Sequence, residues 1–426
     1  MSSPDSGGRW YFGWNIVVAS TCITLLTVGM RMGIGPFFIP LVKDLGISRT
    51  VLGTIVALGM LAYGLGMPLA GHLAQTRGSR FVLLLGVVTV TVSIIWAVLT
   101  TSAFGFFLSF GLLFSLGLAF TSPVALTPII SRWFTRRRGK ALFYLSTGSM
   151  AGIAIMTPLL NFTIEHLGWQ ATLIGFNVLF VALVVPVAFL VMREQAPPGT
   201  DTGGDGSAVS GAPGGAGVAP LAVLRTGEAM KTAYFWKVVA GMFACGFSMN
   251  LLGTQGVPML VDHHFDAMTA SLGIGVIGLV AIPSTLVLGQ LADRLPRRNL
   301  LAAIYLIRAL GFLALLTVAT SSQLYLVAAI AGVVWAGSIA LSSAILADIY
   351  GIRTVGVLYG WAYLGHQIGA TISSWLGGWG FDHYGTHWVA FGAAAAVLIV
   401  AGLTSLSLPA SVLHVVGPTG RRAQAS

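Results

Sequence analysis

The sequence is poor in charge: only 8% of its 426 residues are Asp, Glu, Lys or Arg, whereas 56% are hydrophobic. A soluble globular domain carries about 25% charged residues. This chain therefore cannot cover a water-facing surface, which excludes a soluble enzyme or binding domain. The mean hydropathy of +0.89 instead indicates a polytopic membrane protein, since each membrane helix needs about 20 apolar residues.

Cysteines and nucleotide-binding motifs are also scarce. The two cysteines, Cys22 and Cys245, lie in apolar runs, which favours neither a disulfide framework nor a thiolate metal site. The adjacent His263 and His264 resemble a metal pair only superficially, so we expect no metal. The sequence has no Gly-x-x-x-x-Gly-Lys-Ser/Thr loop and no polar segment long enough for an ATPase domain, so we expect no cofactor and no enzymatic activity.

Long apolar runs predict twelve membrane helices, which we number spans 1 to 12. They fall at about 12–38, 50–73, 80–100, 103–130, 141–163 and 170–192, and then at about 235–260, 269–292, 299–319, 322–347, 354–379 and 386–409. Strands of a β-barrel would be only about 10 residues long, and a segment in lipid must satisfy its own backbone hydrogen bonds. An all-α fold is therefore predicted.

A polar segment at 195–232 divides the chain into two halves of six spans each, residues 1–194 and 233–426. Its Gly, Pro, Ser and Asp content predicts a flexible cytoplasmic linker. Internal repetition supports the division, because GHLAQTRGSR begins at Gly71 after span 2 and GQLADRLPRR begins at Gly289 after span 8, an offset of 218 residues. A weaker pair, Phe134 after span 4 and Tyr350 after span 10, has an offset of 216.

The basic residues predict the orientation of the spans. With the N-terminus inside, 18 of the 22 Lys and Arg residues fall in cytoplasmic segments, and only Lys43 and Arg49 fall in outside loops. Cytoplasmic loops carry an excess of Lys and Arg, so both termini are expected in the cytoplasm. The net charge of +10 is then a topology signal, and no nucleic-acid partner is expected.

The repeated loop resembles the signature of the major facilitator superfamily, Gly-x-Leu-Ala-Asp-Arg-x-Gly-Arg-Arg. The second copy keeps Asp293 and Arg294 but has Pro296 in place of the glycine, and the first copy has Gln75 in place of the acid. This resemblance implies that the loops latch the cytoplasmic side. The gating positions that it implies are Gly71, Arg77, Arg80, Gly289, Asp293 and Arg294.

Narrower features are similar to the bacterial branch of the monocarboxylate-transporter group, which includes relatives of the oxalate/formate exchanger. These features are YFGWNIVVAS from Tyr11, GMRMGIGPFFIPLVKDLGISRT from Gly29, the RWFTRRRGKA loop from Arg132, and LYGWAYLGHQIGATISSWLGGWGFDHYG from Leu358. Members of the group commonly carry an arginine late in span 8, but this chain has none there. The resemblance implies two pseudo-symmetric six-helix halves, a monomeric functional unit and a bacterial cytoplasmic (inner) membrane.

Two arginines inside the spans are functional candidates, because a charge at the bilayer centre costs several kcal/mol. No Asp or Glu lies well inside any span. Arg31 lies about 25 Å along the helix from Trp14, in the outer half of span 1. A guanidinium can bind a carboxylate through two parallel hydrogen bonds, so Arg31 is the predicted anion contact. The alternative is an arginine that reaches to interfacial water.

The second arginine, Arg308, lies about nine residues into span 9, near mid-depth. The resemblance implies that span 9 is a peripheral support. A buried structural or relay charge is therefore favoured over a ligand contact, although a ligand contact stays open. The sequence does not identify its hydrogen-bond partner.

Two polar stripes complete the candidate site. In span 11, Tyr359, Tyr363 and Gln367 share one helix face by their spacing, and the neighbouring His366 has a reference pKa near neutrality. This stripe favours substrate binding or proton coupling, and the alternative is a histidine satisfied by a neighbouring helix. In span 7, the corresponding candidates contact either substrate or other helices; they are Asn250, Thr254 and Gln255.

These features favour a secondary active transporter that moves a small organic anion, a mono- or dicarboxylate, by alternating access. Family resemblance favours proton-coupled uptake, in which His366 or the substrate carries the proton. Anion exchange needs no such group and stays open. An efflux pump for amphipathic compounds is a further alternative, although such pumps for cationic drugs usually place an acid in the membrane. The expected partners are the anion, protons and membrane lipid.

Overall fold

The computed structural model describes residues 11–134, 138–193, 226–350 and 352–409. Within these ranges the regular elements are all helices, and no strand is found there. Each run predicted to span a membrane coincides with helical structure. The predicted all-α class is confirmed, as expected for segments that must pair their own backbone groups in lipid.

Ten helices in the described ranges are long and apolar enough to cross a membrane. One of them, Lys140–Val191, has 52 residues and contains Gly168, whose φ of 83° is not helical. A straight helix of that length would measure about 78 Å, more than twice the bilayer core of about 30 Å, so it contains two spans. Ile352–Tyr384 adds a helix of 33 residues, which brings the spans to the predicted twelve.

The six spans of the first half begin and end within a few residues of their predicted positions, except that span 1 continues to Leu45. Span 1 comprises Gly13–Met32 and Gly35–Leu45, span 2 is Arg49–Thr76, and span 3 is Ser79–Leu99. Span 4 comprises Ala103–Phe106, the π-helical Phe107–Phe114, Ser115–Phe120 and Pro123–Trp133. Spans 5 and 6 lie in Arg138–Pro186, which the π-helical Val187–Val191 extends.

The second half follows the same order. Span 7 is Ala233–Asp262, span 8 is Ala267–Arg294, span 9 is Arg297–Leu315, span 10 comprises Ser321–Val333 and Gly337–Tyr350, span 11 is Ile352–Tyr384, and span 12 is Trp388–Leu406. The predicted linker falls mainly outside the described residues. Its last part includes a one-turn helix, Thr226–Ala229.

Capping residues fix several of the helix ends. Ser48 Oγ accepts a hydrogen bond from the backbone N–H of Val51 at 3.2 Å, which satisfies an otherwise unpaired donor at the start of span 2. Thr320 and Gln323 form a capping box at the start of span 10. Gly46, with a φ of 60°, ends span 1 in the left-handed conformation that glycine adopts most easily.

Three spans are interrupted along their length. Proline follows two of the breaks: Pro36 and Pro123 each lie in the first turn of the next helix. A backbone N–H in the first turn has no partner within the helix, so its absence in proline costs nothing there. The third break, between Val333 and Gly337 in span 10, leaves backbone carbonyls outside the helical hydrogen-bond ladder. Those carbonyls are available to side chains from neighbouring spans.

The chain forms two compact units. One consists of Met1–Gly206 with Leu252–Ile282, and the other of Ser207–Leu251 with Pro283–Ser426, as far as these ranges are described. The C-terminal part of span 7 and much of span 8 therefore pack with the first six spans. Glycine permits this packing, since a Cβ added at Gly278 would lie 2.6 Å from the backbone nitrogen of Ala154.

Candidate functional site

Arg31 lines a pocket of about 400 Å³ within the first unit, part of it open to solvent. Three spans form its walls. Span 1 contributes Met30, Arg31 and Ile34, span 2 contributes Val56, Met60 and Tyr63, and span 4 contributes Phe110, Phe114, Ser115 and Leu118. The guanidinium of Arg31 thus belongs to a concave site inside the protein.

Two side chains of span 2 hold the guanidinium of Arg31. Its Cζ lies 4.4 Å from the centroid of the Tyr63 ring, and its Nε is 3.5 Å from Met60 Sδ. The face of an aromatic ring attracts a cation electrostatically. Tyr63 is 2% exposed, so the ring forms a rigid floor that fixes where the charge lies.

The pocket combines one cation with an apolar wall. Among the described side chains that line it, Arg31 is the only charged one, and the others are aliphatic, aromatic or thioether groups apart from Ser115 and the Tyr63 hydroxyl. Small-molecule sites are usually apolar with a few placed polar groups. This arrangement can bind a single negative charge and cover an apolar body beside it.

His366 and Gln367 lie in the second unit and are both buried, with 2% and 1% exposure. His366 Nδ1 is 3.1 Å from Gln367 Oε1. Because the amide oxygen can only accept, Nδ1 donates in this pair. His366 Nε2 has no hydrogen-bond partner within the described ranges.

The tyrosines of span 11 lie beside this histidine. The ring of Tyr363 stacks on that of His366 with centroids 5.0 Å apart and an interplanar angle of 8°. Tyr359 lies one turn earlier, with its ring centroid 6.1 Å from that of Tyr363. The structure thus brings three of the four span 11 candidates into one aromatic row and pairs the fourth, Gln367, with the histidine.

The span 7 candidates are buried but do not act as one group. Asn250 Nδ2 donates to the carbonyl oxygen of Gly246 at 3.0 Å, one turn earlier on its own helix. Asn250 belongs to the second unit, whereas Thr254 and Gln255 belong to the first. Both amide atoms of Gln255 are buried, and neither has a hydrogen-bond partner in the described part of the chain.

Arg308 has 0% exposure, and the structure supplies the partners that the sequence could not identify. Its Nη2 donates to the carbonyl oxygens of Val334 at 2.7 Å and Trp335 at 2.5 Å, in the break of span 10. Ser338 Oγ is 3.3 Å from Nη2, and Cys245 Sγ is 3.5 Å from Nη1. The buried charge therefore holds the interruption of span 10 against span 9.

The implied gating positions make aromatic and surface contacts. Arg77 Cζ lies 5.2 Å from the ring centroid of Phe81, and Arg80 Cζ lies 4.1 Å from that of Phe189. Arg294 is exposed at the end of span 8. A Cβ added at Gly71 would approach Val124 to 3.4 Å, whereas one at Gly289 would meet no described atom within 4 Å. The side chain of Asp293 lies outside the described residues.

An ion pair between spans 2 and 7 was missed by the sequence reasoning. Arg49 and Asp262 form two hydrogen bonds, with Nη1–Oδ2 at 2.5 Å and Nη2–Oδ1 at 3.0 Å. Arg49 lies at the N-terminus of its helix and Asp262 at the C-terminus of its own. Each charge therefore has the same sign as the partial charge of the helix end where it lies, which is unfavourable. Two unfavourable charges at outer helix ends were the available signal for this pair.

Comparison with known proteins identifies the family. The family model described as the Major Facilitator Superfamily matches residues 20–328 and 256–425. The chain belongs to the major facilitator superfamily. Proteins of this superfamily are transporters rather than enzymes, and this member is an integral membrane protein with many apolar helices. The resemblance inferred from the loop signature is confirmed.

Relatives cover most of the chain at low identity. The uncharacterized MFS-type transporter YcxA of Bacillus subtilis is 25% identical over 371 residues, covering 81% of this chain and 83% of the relative. The oxalate:formate antiporter of Oxalobacter formigenes is 22% identical, and the alignment covers 87% of this chain and 86% of the relative. Human monocarboxylate transporter 11 is 24% identical, and the alignment covers 96% of this chain and 84% of the relative. These relatives confirm the resemblance to the monocarboxylate and oxalate/formate group.

A solved structure shows the same fold. A bacterial homolog of the human lysosomal transporter Spinster, in an inward-facing and occupied conformation, aligns with a TM-score of 0.70. The alignment covers 94% of this chain and 97% of that one at 16% identity. At this identity the likeness concerns the fold alone, and it confirms the twelve-helix fold of the superfamily.

Proposed function

We propose that this protein is a secondary active transporter that binds a small organic anion at Arg31. The observation that carries the proposal is the guanidinium of Arg31, which lies over Tyr63 in a mostly apolar pocket whose other described lining side chains are uncharged. A planar guanidinium matches the two oxygens of a carboxylate. The oxalate:formate antiporter and monocarboxylate transporters among the relatives support this class of substrate.

The pocket favours one carboxylate over two. Arg31 supplies a single positive charge, and Phe110 and Phe114 present apolar surface beside it. A second carboxylate in this pocket would lose its hydration without gaining a charged partner, which costs several kcal/mol. A monocarboxylate with a small apolar body is therefore the proposed substrate, and a dicarboxylate is the weaker candidate.

Proton-coupled uptake is the proposed mode of energy coupling. His366 is the proposed proton site, because its unpartnered Nε2 can accept a proton at the cost of burying one charge. Exchange of one anion for another is the alternative, and the oxalate:formate antiporter supports it. Efflux of amphipathic compounds is a further alternative. The substitution His366→Gln separates the first two modes. If uptake is coupled to protons at His366, the variant should lose the pH dependence of uptake. If the protein exchanges anions, the variant should exchange them as the wild type does.

The remaining features follow from alternating access. Two halves, residues 1–194 and 233–426, would move about the site while the linker at 195–232 connects them. The loops after spans 2 and 8 would gate the cytoplasmic side through the glycine and charged positions named above. Both termini would lie in the cytoplasm of a bacterial cell, with the transporter in the inner membrane as a monomeric unit.

Carboxylate uptake into proteoliposomes tests the role of Arg31. Arg31→Gln removes the charge, and Arg31→Lys keeps the charge but loses the planar pair of donors. We expect uptake to fall at least tenfold in Arg31→Gln and by less in Arg31→Lys. The matched control is Arg193→Gln, an exposed arginine just after span 6, which should leave uptake unchanged. Undiminished uptake by Arg31→Gln would remove Arg31 from the site.

A further inference from the structure

Arg308 carries a positive charge in a fully enclosed place. It is the largest fully buried side chain in the described part of the chain, with 0% exposure. A guanidinium keeps its charge at every physiological pH. An ion removed from water needs a compensating charge or strongly oriented dipoles around it. The environment of Arg308 must therefore supply negative charge from some source.

No carboxylate is among the partners of Arg308 that the structure describes. They are two backbone carbonyls, one hydroxyl and one thiol sulfur. The carbonyls come from the C-terminal end of the first helix of span 10, where the macrodipole is equivalent to about half a negative charge. These dipoles offset part of the charge of Arg308.

Three buried polar atoms, one on Arg308 and two on residues near it, lack a described hydrogen-bond partner. Arg308 Nε, Trp335 Nε1 and the Tyr305 hydroxyl are buried and lack a hydrogen-bond partner among the residues described. The Trp335 ring centroid lies 5.3 Å from Arg308 Cζ, and Tyr305 precedes Arg308 by three residues on the same side of span 9. The first two groups can only donate. Buried donors without partners are rare in folded proteins, so a cluster of them indicates a missing acceptor.

We propose that Arg308, Trp335 and Tyr305 bind a small monovalent anion inside the second unit. A halide ion or the carboxylate of a short acid would supply both the missing charge and the missing acceptor. The three side chains are at most 2% exposed, so the anion must shed its water, which excludes strongly hydrated multivalent anions. The site shares no residue with the Arg31 pocket, which is lined from residues 30 to 118, and does not depend on it.

A competing account assigns the counter-charge to Cys245. Its sulfur lies 3.5 Å from Arg308 Nη1 and 3.1 Å from Ser338 Oγ. A thiolate at this position would neutralise Arg308 without any bound ion. It would leave the donors of Trp335 and Tyr305 unpaired, however, and it predicts that the stability of the protein does not respond to added anions.

Thermal unfolding of the purified full-length protein in detergent separates the two accounts. Sodium chloride, bromide, formate and acetate are titrated at constant ionic strength against sodium sulfate, because an anion that binds only the folded state raises Tm by mass action. We expect a saturable rise with one class of salt. A rise in Tm with halides identifies the bound anion as a halide that neutralises Arg308. A rise in Tm with formate or acetate identifies it as a carboxylate, the chemical class of the proposed substrate.

Donor-deletion variants assign the response to this site. Trp335→Phe and Tyr305→Phe keep the rings and each remove one hydrogen bond, which should raise the apparent Kd about tenfold. The matched controls are Trp361→Phe and Tyr384→Phe, which alter exposed rings and should leave the Kd unchanged. The titration is repeated in Arg31→Gln, where a response from the Arg31 pocket disappears and the response proposed here remains.

Two results would overturn the proposal. One is a wild-type protein whose Tm does not respond to any of the four anions. The other is an apparent Kd that is the same in Trp335→Phe and Tyr305→Phe as in the wild type. The second result does not bear on anion binding at Arg31, because these substitutions leave that pocket intact. The first result would also argue against carboxylate binding at Arg31, which uptake by Arg31→Gln tests separately.

Discussion

At the scale of single residues, the two arginines inside the spans are held by contacts of different strength. Arg31 lies over the ring of Tyr63, a contact of about 0.5–1 kcal/mol at a partly exposed site. Arg308 is bound by buried carbonyls, and removing such a partner from a buried charge costs about 3–5 kcal/mol. The contact between Arg31 and Tyr63 is therefore weaker than the contacts of Arg308 with buried carbonyls.

The ring under Arg31 should contribute to anion affinity. Tyr63→Leu removes the aromatic face that fixes the guanidinium, and we expect the Kd for a bound monocarboxylate to rise about three- to tenfold. Tyr63→Phe keeps the face and should stay within about twofold of the wild type. Both are measured by thermal shift against the organic acid. Equal weakening in the two variants would show that the hydroxyl matters and the ring does not.

Asp266 links the stability of span 8 to pH. Its carboxylate accepts a hydrogen bond from the backbone N–H of Thr269 at 2.7 Å, which lowers the pKa of Asp266 below its ordinary value. The stabilisation is complete above the unfolded-state pKa of about 3.9 and is lost as the pH falls through the lower folded-state pKa. Asp266→Ala should cost about 1 kcal/mol at neutral pH.

Thermal unfolding between pH 7 and pH 3 checks this expectation. The difference in Tm between the wild type and Asp266→Ala should be present at neutral pH and shrink at the acid end of the range. Asp266→Asn is the control, because asparagine caps helices about as well as aspartate but does not titrate. A difference that is constant with pH would show that the charge of the cap contributes nothing.

Residue partners were the part of the site that the sequence could not provide. Arg31 and Arg308 were identifiable because a charge in an apolar run stands out. Val334, the carbonyl partner of Arg308, lies on another span and contributes a backbone atom, which carries no sequence signature. The pairing of Arg49 with Asp262 spans 213 positions and required the packing of spans 2 and 7 to be known.

At the scale of elements, span 7 packs against span 11 through positions without side chains. A Cβ added at Gly246 would collide with the carbonyl oxygen of His366, and a Cβ added at Gly365 would lie 2.9 Å from a methyl group of Val239. Small residues let helix backbones approach closely in membranes. This contact places the buried histidine directly against the backbone of span 7.

Substitution of this glycine should separate the two helices. Gly246→Ala forces the backbones apart, and we expect a loss of about 1–3 kcal/mol in unfolding free energy. Gly392→Ala is the matched control in span 12, since a Cβ there meets no described atom within 4 Å and alanine favours the helix. Unfolding in a denaturant series measures both. A Gly246→Ala protein as stable as Gly392→Ala would contradict the close contact.

Span positions were predictable because long apolar runs have few alternatives in a bilayer. Span 1 was the exception, predicted to end near residue 38 but continuing as Gly35–Leu45. The sequence analysis assigned Lys43 to an outside loop. The structure explains the longer helix, because Asp44 Oδ2 accepts a hydrogen bond from Trp169 Nε1 at 2.7 Å. Pro123 marks the break in span 4, whereas the break in span 10 has no comparable sequence signal.

At the scale of the whole molecule, the Arg49–Asp262 pair joins a span of the first half to one of the second. The side chains of both residues are mostly buried, with 15% and 23% exposure, and they meet through two hydrogen bonds. Each charge is unfavourable at its own helix end, so the pair is explained by the contact it makes and not by helix stability. In the proposed transport cycle, this contact would form and break as the site opens to each side.

A charge swap tests the pair. Arg49→Asp and Asp262→Arg each place two like charges together, and we expect the initial rate of uptake to fall severalfold in either variant. The double variant restores an opposite pair, with each charge now at the favourable end of its helix, and should recover much of the rate. The measurement is uptake into proteoliposomes. A double variant as slow as the single ones would rule out a role for the pairing.

The π-helical stretch Phe107–Phe114 sets the direction in which the rest of span 4 faces. Such a stretch typically accommodates one residue more than an α-helix would in the same length. Shortening it by one position would rotate everything beyond it by about 100°, one residue's share of an α-helical turn. Ser115 and Leu118 would then swing away from the cation of span 1. Insertions or deletions in Phe107–Phe114 should therefore disrupt the pocket more than substitutions of single side chains in this segment do.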